Sequence, residues 1–287
     1  MKVGTIEGIR RYPVKSMGGE TLDTVELAAR GLPGDRVWAV RDEVRGGIRG
    51  AKKVPALMTS SARLTTPPQA SGSSPAEIEF PDGSRVSTAD PDVNERLSTV
   101  LDQPVTLWPL LPADALDHYR RGAPTHEDLE TELRTIFGRA PNEPLPDLSV
   151  FPPELFEYES PLGTYFDAFP ILLLTSSSLA SMQKRAPASL FDVRRFRPNF
   201  LVSDVSSSEP FPEMQWRGKR LKIGEAILGV TVECPRCVMV THGHEDLPKD
   251  PGVMRALVKE AGGNLGVYAT VETPGRVSVG DSVELLD

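Results

Sequence analysis

The chain has 287 residues, 39% of them hydrophobic and 25% charged, which is the make-up of a soluble globular protein with room for one large or two modest cores. Its net charge of -8 argues against nucleic acid or an anionic membrane as a partner, because phosphate surfaces demand clustered Lys and Arg. The longest apolar runs, such as "ILLL", fall far short of the about 20 residues that span a bilayer, no h-region opens the chain, and two cysteines three positions apart cannot staple a secreted fold. The expectation is a cytoplasmic protein that handles small molecules or other proteins.

In chain order, the first 40 residues alternate short β-prone runs with turn signals, as in "VGTIEGIRRYPV" and "TLDTVELAARGLPGDRVWAV". "AEIEFPDGSRVST" reads as a hairpin about Asp82 and Gly83, and "ADPDVNERLSTVL" as a short helix opened by Asp90 and Pro91. From Pro112 to Pro161, Pro, Glu and Asp dominate without periodicity, which suits a linker, an excursion or a mobile lid. Ile171 to Leu174 then predicts a strand, running into a helix capped by Ser176 or Ser177. "RLKIGEAILGVTVECPRCVMVTH" gives more strands, Pro251 to Ala261 a helix, and "GVYATVETPGRVSVGDSVELL" the last strands. The fold class is mainly β with inserted helices (α+β), built on a barrel.

The only cysteines, Cys234 and Cys237, stand just before His242 and His244. Zinc would use all four, although the Cys-to-His separation is shorter than in ordinary fingers. A redox dithiol would need a helix N-terminus after the motif, whereas both flanks here are β-prone. Two core thiols would face opposite sides of an unbroken strand, because their spacing is odd. Pro235 and Arg236 between them suit a kink that presents one thiolate beside a guanidinium, which would lower that thiol's pKa. His242, Glu245 and Asp246 are candidates for supplying a proton, His242 above all, since imidazole titrates near neutral pH. Elsewhere, Lys15 and Ser16 in "YPVKSMGGE", Arg36 in "GLPGDRVW", the serines of "LTSSSL", and Arg197 and Asn199 in "RFRPNF" suggest an anion and hydrogen-bond cradle drawn from distant segments. Arg194, Arg195 and Arg197 read equally as a solvated basic face. Asp167 either serves the cradle or caps a turn.

The ordered set "PVKS", "GDR", "FRPN" and "CPRC" resembles the MOSC superfamily. Within it, the likeness is to two-domain proteins such as the mitochondrial amidoxime-reducing component and its bacterial homologues. That resemblance implies a MOSC N-terminal β-barrel domain over 1–110, a Pro/acidic-rich linker or lid over 111–164, and a MOSC domain over 165–287, with a cofactor cleft between the two domains. It further implies a molybdenum pyranopterin cofactor (Mo-molybdopterin) contacted by Lys15, Ser16, Arg36, Thr175, Ser176, Ser177, Arg197, Asn199, Arg236 and Tyr268, with Cys237 as the metal ligand and Cys234 as a neighbouring structural thiol. The implied activity is reduction of small N-hydroxylated compounds. Electrons would come from a separate flavin, haem or ferredoxin-type protein, since the chain has no cysteines for an iron–sulfur cluster and no flavin fingerprint. After Cys237 this chain has "VMVTHGHEDLPKD" where the family carries "VDPxTG". That departure keeps two alternatives open: a non-catalytic cofactor or sulfur carrier, and a divergent MOSC protein without molybdenum acting on a small molecule in a specialised pathway.

Overall fold

The first strand, β1 (Lys2–Arg11), pairs at its C-terminal end with the next strand and otherwise with strands formed nearly 200 residues or more later. The computed structural model describes residues 1–69, 72–204, 209–244 and 246–286. After β1 come β2 (Glu20–Leu22), β3 (Thr24–Leu27), β4 (Trp38–Asp42), β5 (Ile48–Arg49), β6 (Ser61–Leu64), β7 (Ala76–Glu79), β8 (Arg85–Ser87), helix α1 (Val93–Leu101) and β9 (Val105–Pro109). Three short helices follow: α2 (Leu116–Tyr119), α3 (Leu129–Phe137) and α4 (Glu154–Glu157). The remainder is β10 (Ile171–Thr175), α5 (Ser176–Arg185), α6 (Val193–Phe196), β11 (Phe200–Asp204), β12 (Arg220–Ile223), β13 (Ala226–Pro235), α7 (Pro251–Ala261), β14 (Asn264–Thr273), β15 (Gly275–Ser278) and β16 (Ser282–Leu286).

Seven strands close a barrel in the order β11-β10-β14-β13-β12-β16-β1, with β1 returning to β11. Every pair is antiparallel except β10 with β11. Closure leaves no free sheet edge among these strands, and alternate residues such as Ile6, Ile9, Leu173, Phe200, Val202 and Val267 fill the interior. Gly4 permits the β1–β11 approach, because a Cβ there would lie 2.5 Å from Val202 Cγ1. Two small sheets, β5-β4-β9 and β6-β7-β8, wrap with α1 around a second core that includes Val40, Leu57, Ile78 and Leu97. Met239 and Cys237, just past β13, pack against that second core, so the cysteine loop is wedged between the barrel and the N-terminal sheets.

The Asp82–Gly83 hairpin and α7 stand where the sequence puts them. Thr175, rather than Ser176 or Ser177, caps α5 by accepting from the Ser178 N–H at 3.2 Å, because parallel pairing extends β10 to that position. Residues 112–161 hold α2 to α4 rather than a featureless linker, and Asp128 caps α3 by accepting from the Thr131 N–H at 2.7 Å. Among the described residues, no helix is long and apolar enough to cross a membrane.

One buried group makes the barrel sensitive to pH. Glu213 is wholly buried; its Oε2 accepts from Thr175 Oγ1 at 2.7 Å and Ser178 Oγ at 2.5 Å, while Oε1 has no partner. Burial raises its pKa above the ordinary carboxyl value, so folding favours the protonated form. Its contribution is fully present below the unfolded-state pKa and is lost as pH rises through the higher folded value. Glu213→Gln should remove that slope and stabilise the protein at pH 8 by about 1 kcal/mol, or about 3 °C in thermal unfolding, with no gain at pH 4.

Candidate functional site

A cavity of about 420 Å³ opens between the barrel, the N-terminal sheets and residues 112–161. Among the described residues of its wall, nine are Lys or Arg and three are Asp or Glu. In a chain of net charge -8, that excess of cations marks an anion site. Eight of the sequence-derived candidates line it: Lys15, Ser16, Arg36, Arg197, Asn199, Arg236, Cys237 and Tyr268.

The backbone is strained at three of these. Ser16 (φ 71°), Arg36 (φ 50°) and Arg197 (φ 55°) take left-handed conformations that cost a non-glycine residue about 1 kcal/mol each. Each strained turn aims a polar side chain. Ser16 Oγ accepts from the Ala51 N–H at 2.9 Å, which ties the turn to the chain after β5. Arg197 ends α6 just before Pro198, and its Nη1 donates to Met17 O at 2.5 Å. Arg36 pairs with Asp35, whose fully buried carboxylate also accepts from the Tyr12 N–H at 2.7 Å and Asn199 Nδ2 at 3.2 Å. Asp35 thus joins three segments of the wall through one side chain. The Arg197 guanidinium stacks 4.2 Å from the Tyr12 ring centre, and burial pushes its pKa down to about 10.

Asp167 belongs to the wall and accepts from Lys15 Nζ at 3.1 Å and Lys52 Nζ at 3.2 Å. Burial opposes its charge, but Lys15, Lys52 and Arg36 together hold its carboxyl well below the ordinary range. Lys15, itself 3% exposed, also donates to Tyr165 O at 2.8 Å.

The two cysteines have different surroundings. Cys234 is the penultimate residue of β13 and is buried; it receives a hydrogen bond from Arg236 Nη1 at 2.8 Å. Cys237 follows the kink, half-buried at the start of a 3-10 turn over Val238–Thr241. The expected help from Arg236 to this thiol is slight, because the guanidinium turns to Cys234 and to Phe196 O, at 2.5 Å. Burial pushes the Cys237 pKa up, and Lys52 is the strongest influence bringing it down.

Four candidates lie outside the cavity wall. Thr175 and Ser177 are engaged at the start of α5, and Ser176 Oγ donates to Val202 O at 3.4 Å. His242 is buried with Nε2 at 3.0 Å from Ala51 O, and burial lowers its pKa, so its ring is neutral at pH 7 and a poor acid. The chain turns it away after the 3-10 turn. His244 likewise places Nδ1 at 2.6 Å from Met58 O, and among the described residues no three His, Cys, Asp or Glu side chains gather as a metal cluster. Asp246 is exposed and accepts from Arg194 Nη1 at 2.6 Å; Glu245 lies outside the described residues. Arg195 is no solvated charge. It is 1% exposed and donates to Val240 O, His242 O and Pro248 O at 3.3, 3.0 and 2.7 Å, pinning the loop after Cys237.

Arg49 and Lys52 line the cavity but escape the sequence reading. The signal lies in "GGIRGAKKVP", where three basic residues sit between a glycine turn and a proline, as they do in the turns around Lys15 and Arg36.

Residues 163–284 match the MOSC domain and residues 3–102 match the MOSC N-terminal beta barrel domain. The chain belongs to the MOSC proteins that carry this N-terminal domain. Over 98% of its length it is 24% identical to a Bos taurus protein named mitochondrial amidoxime reducing component 2, covering 83% of that protein. It is also 24% identical to the Danio rerio mitochondrial amidoxime-reducing component 1, over 98% of this chain and 85% of the other. Among solved structures, the YUAD protein of Bacillus subtilis aligns over 99% of this chain and 95% of that one, at 14% identity and a TM-score of 0.44.

Proposed function

We propose that this protein is a molybdenum-cofactor-dependent reductase of small N-hydroxylated compounds. The observation that carries the reading is a pair of buried guanidinium nitrogens without partners, Arg197 Nη2 and Arg236 Nε, on residues of a cavity that also holds Cys237. An unpaired buried donor costs about 1–3 kcal/mol, so the cavity suits an anionic ligand rich in acceptors. A pyranopterin with its phosphate fits that description, and a thiolate is a soft ligand suited to its metal.

In this reading Lys15, Ser16, Arg36, Arg197, Asn199, Arg236 and Tyr268 hold the cofactor, and Cys237 is the protein ligand to molybdenum. Thr175, Ser176, Ser177 and His242 are left out of the set because their side chains are engaged elsewhere. When bound, the cofactor supplies two-electron reduction in which the N–O bond breaks, two protons are taken up and water leaves. Lys52, kept charged by Asp167 against the effect of burial, favours the thiolate at Cys237. Arg195 holds the loop that carries that thiolate. Electrons come from a separate flavin, haem or ferredoxin-type protein, and the reducing cytoplasm is where a free thiolate persists. The names of the two aligned relatives support amidoxime-type substrates.

The test is anaerobic turnover of an aryl amidoxime with reduced viologen as donor, using protein from a host that makes the cofactor. Stoichiometric consumption of two electrons per product is expected. Molybdenum-loaded protein without turnover would point instead to a carrier.

A further inference from the structure

The cavity has a second wall unlike its cationic floor. On α3, Leu133, Ile136 and Phe137 share one face, and Phe151, Leu155 and Phe156 extend the same surface. None of these six is buried, and none belongs to the hydrophobic cores formed by the described residues. An amphipathic helix normally turns such a stripe onto a core; here the stripe faces an open cavity. It is also fixed in place. Glu132, which also lines the cavity, accepts from the Thr125 and His126 N–H groups at 3.3 and 3.1 Å and pairs with Lys53, while Arg255 bonds Gly138 O and Glu143.

Basic side chains border this wall. Lys53 pairs with Glu132, Arg121 with Glu159, and Lys52 with Asp167. Arg49 is 4% exposed, and its Nε has no hydrogen-bond partner, with the nearest carboxylate, on Asp42, at 3.6 Å. We propose that the cavity contains a subsite for an amphiphilic acid, with an extended alkyl or aryl body against the α3 wall and an anionic head toward Arg49 and Lys52. This deepens the reductase reading, on which it rests for the reacting group: the favoured substrates are acidic N-hydroxylated acyl compounds with long apolar bodies, and cationic compounds of equal length are rejected.

The test is calorimetric titration of the full chain, purified from a cofactor-producing host, with hexanoate, octanoate, decanoate and decyltrimethylammonium below their micelle concentrations. Carboxylate affinity should rise about fourfold per added methylene, and decyltrimethylammonium should bind at least about tenfold more weakly than decanoate. Ile136→Asn should weaken decanoate about tenfold, and Ile136→Leu should restore it; thermal unfolding of both variants separates lost binding from lost fold. Affinity independent of chain length, equal binding of the cation, or an unaffected Ile136→Asn would overturn the subsite. Because no turnover is read, a protein that binds decanoate as expected yet reduces nothing sinks only the reductase reading. Turnover without chain-length dependence in binding sinks only the subsite.

Discussion

Cys237→Ala is expected to purify with almost no molybdenum and to show no turnover above background, while Cys234→Ala keeps most of its metal. The contrast follows from the end of β13. The strand delivers Cys234 inward, where Arg236 engages its sulfur; the break at Pro235 and Arg236 then presents Cys237 to the cavity beside Lys52. Substitutions in groups that only support a metal ligand typically cost 10–100-fold in affinity. Loss of the sole protein thiolate should therefore exceed about 100-fold, and metal analysis by inductively coupled plasma mass spectrometry will show it directly. Zinc in the wild type, or undiminished molybdenum in Cys237→Ala, would remove the thiolate from the reading.

The second large effect is expected at Asp35. Its carboxylate has no solvent exposure, pairs with Arg36, and receives hydrogen bonds from the Tyr12 N–H and Asn199 Nδ2. Alanine would strand a guanidinium, a backbone donor and an amide donor at once, beside a second cation at Arg197. Removing one partner of a buried charge pair costs about 3–5 kcal/mol, so Asp35→Ala should lower the melting temperature by about 10 °C. Asp35→Asn, which keeps an acceptor oxygen but loses the charge, should recover part of that. A melting temperature for Asp35→Ala within a degree of wild type would show that the carboxylate does not hold these segments together.

The sequence is most readable where local chemistry decides conformation. Pro251 after Asp250 starts α7, and Gly262 ends it in a left-handed turn, so its bounds follow from the residues alone. Cradle residues such as Lys15, Arg36 and Arg197 were visible because each basic side chain sits beside a glycine or proline turn. Tertiary context decided what was missed. Thr175 rather than a serine caps α5, because its position is set by pairing with β11. Arg195 looked like one of several surface charges, and only the packing of the loop after Cys237 buries it. The apolar spacing of α3 was masked by the Pro and acidic residues on either side. Arg49 and Lys52 contribute through a fold that brings β5 to the mouth of the barrel, which no local pattern encodes.

The closure of the barrel by β1 also sets an order of events during synthesis. β1 leaves the ribosome well before its barrel partners, since β11 begins at Phe200 and β16 spans Ser282–Leu286. At about 5–20 residues per second, β1 waits roughly 10–40 s before β11 can meet it. During that interval β2 can pair only with the C-terminal end of β1, from Ile9 on, and the rest of the strand, Ile6 included, is an unpaired edge open to any extended segment nearby. The N-terminal sheets can gather around their own core meanwhile, but the cysteine loop that packs against that core comes later still. Completion of the site is therefore tied to the arrival of the final strands, and a nascent chain released short of them would have neither a closed barrel nor a finished cavity.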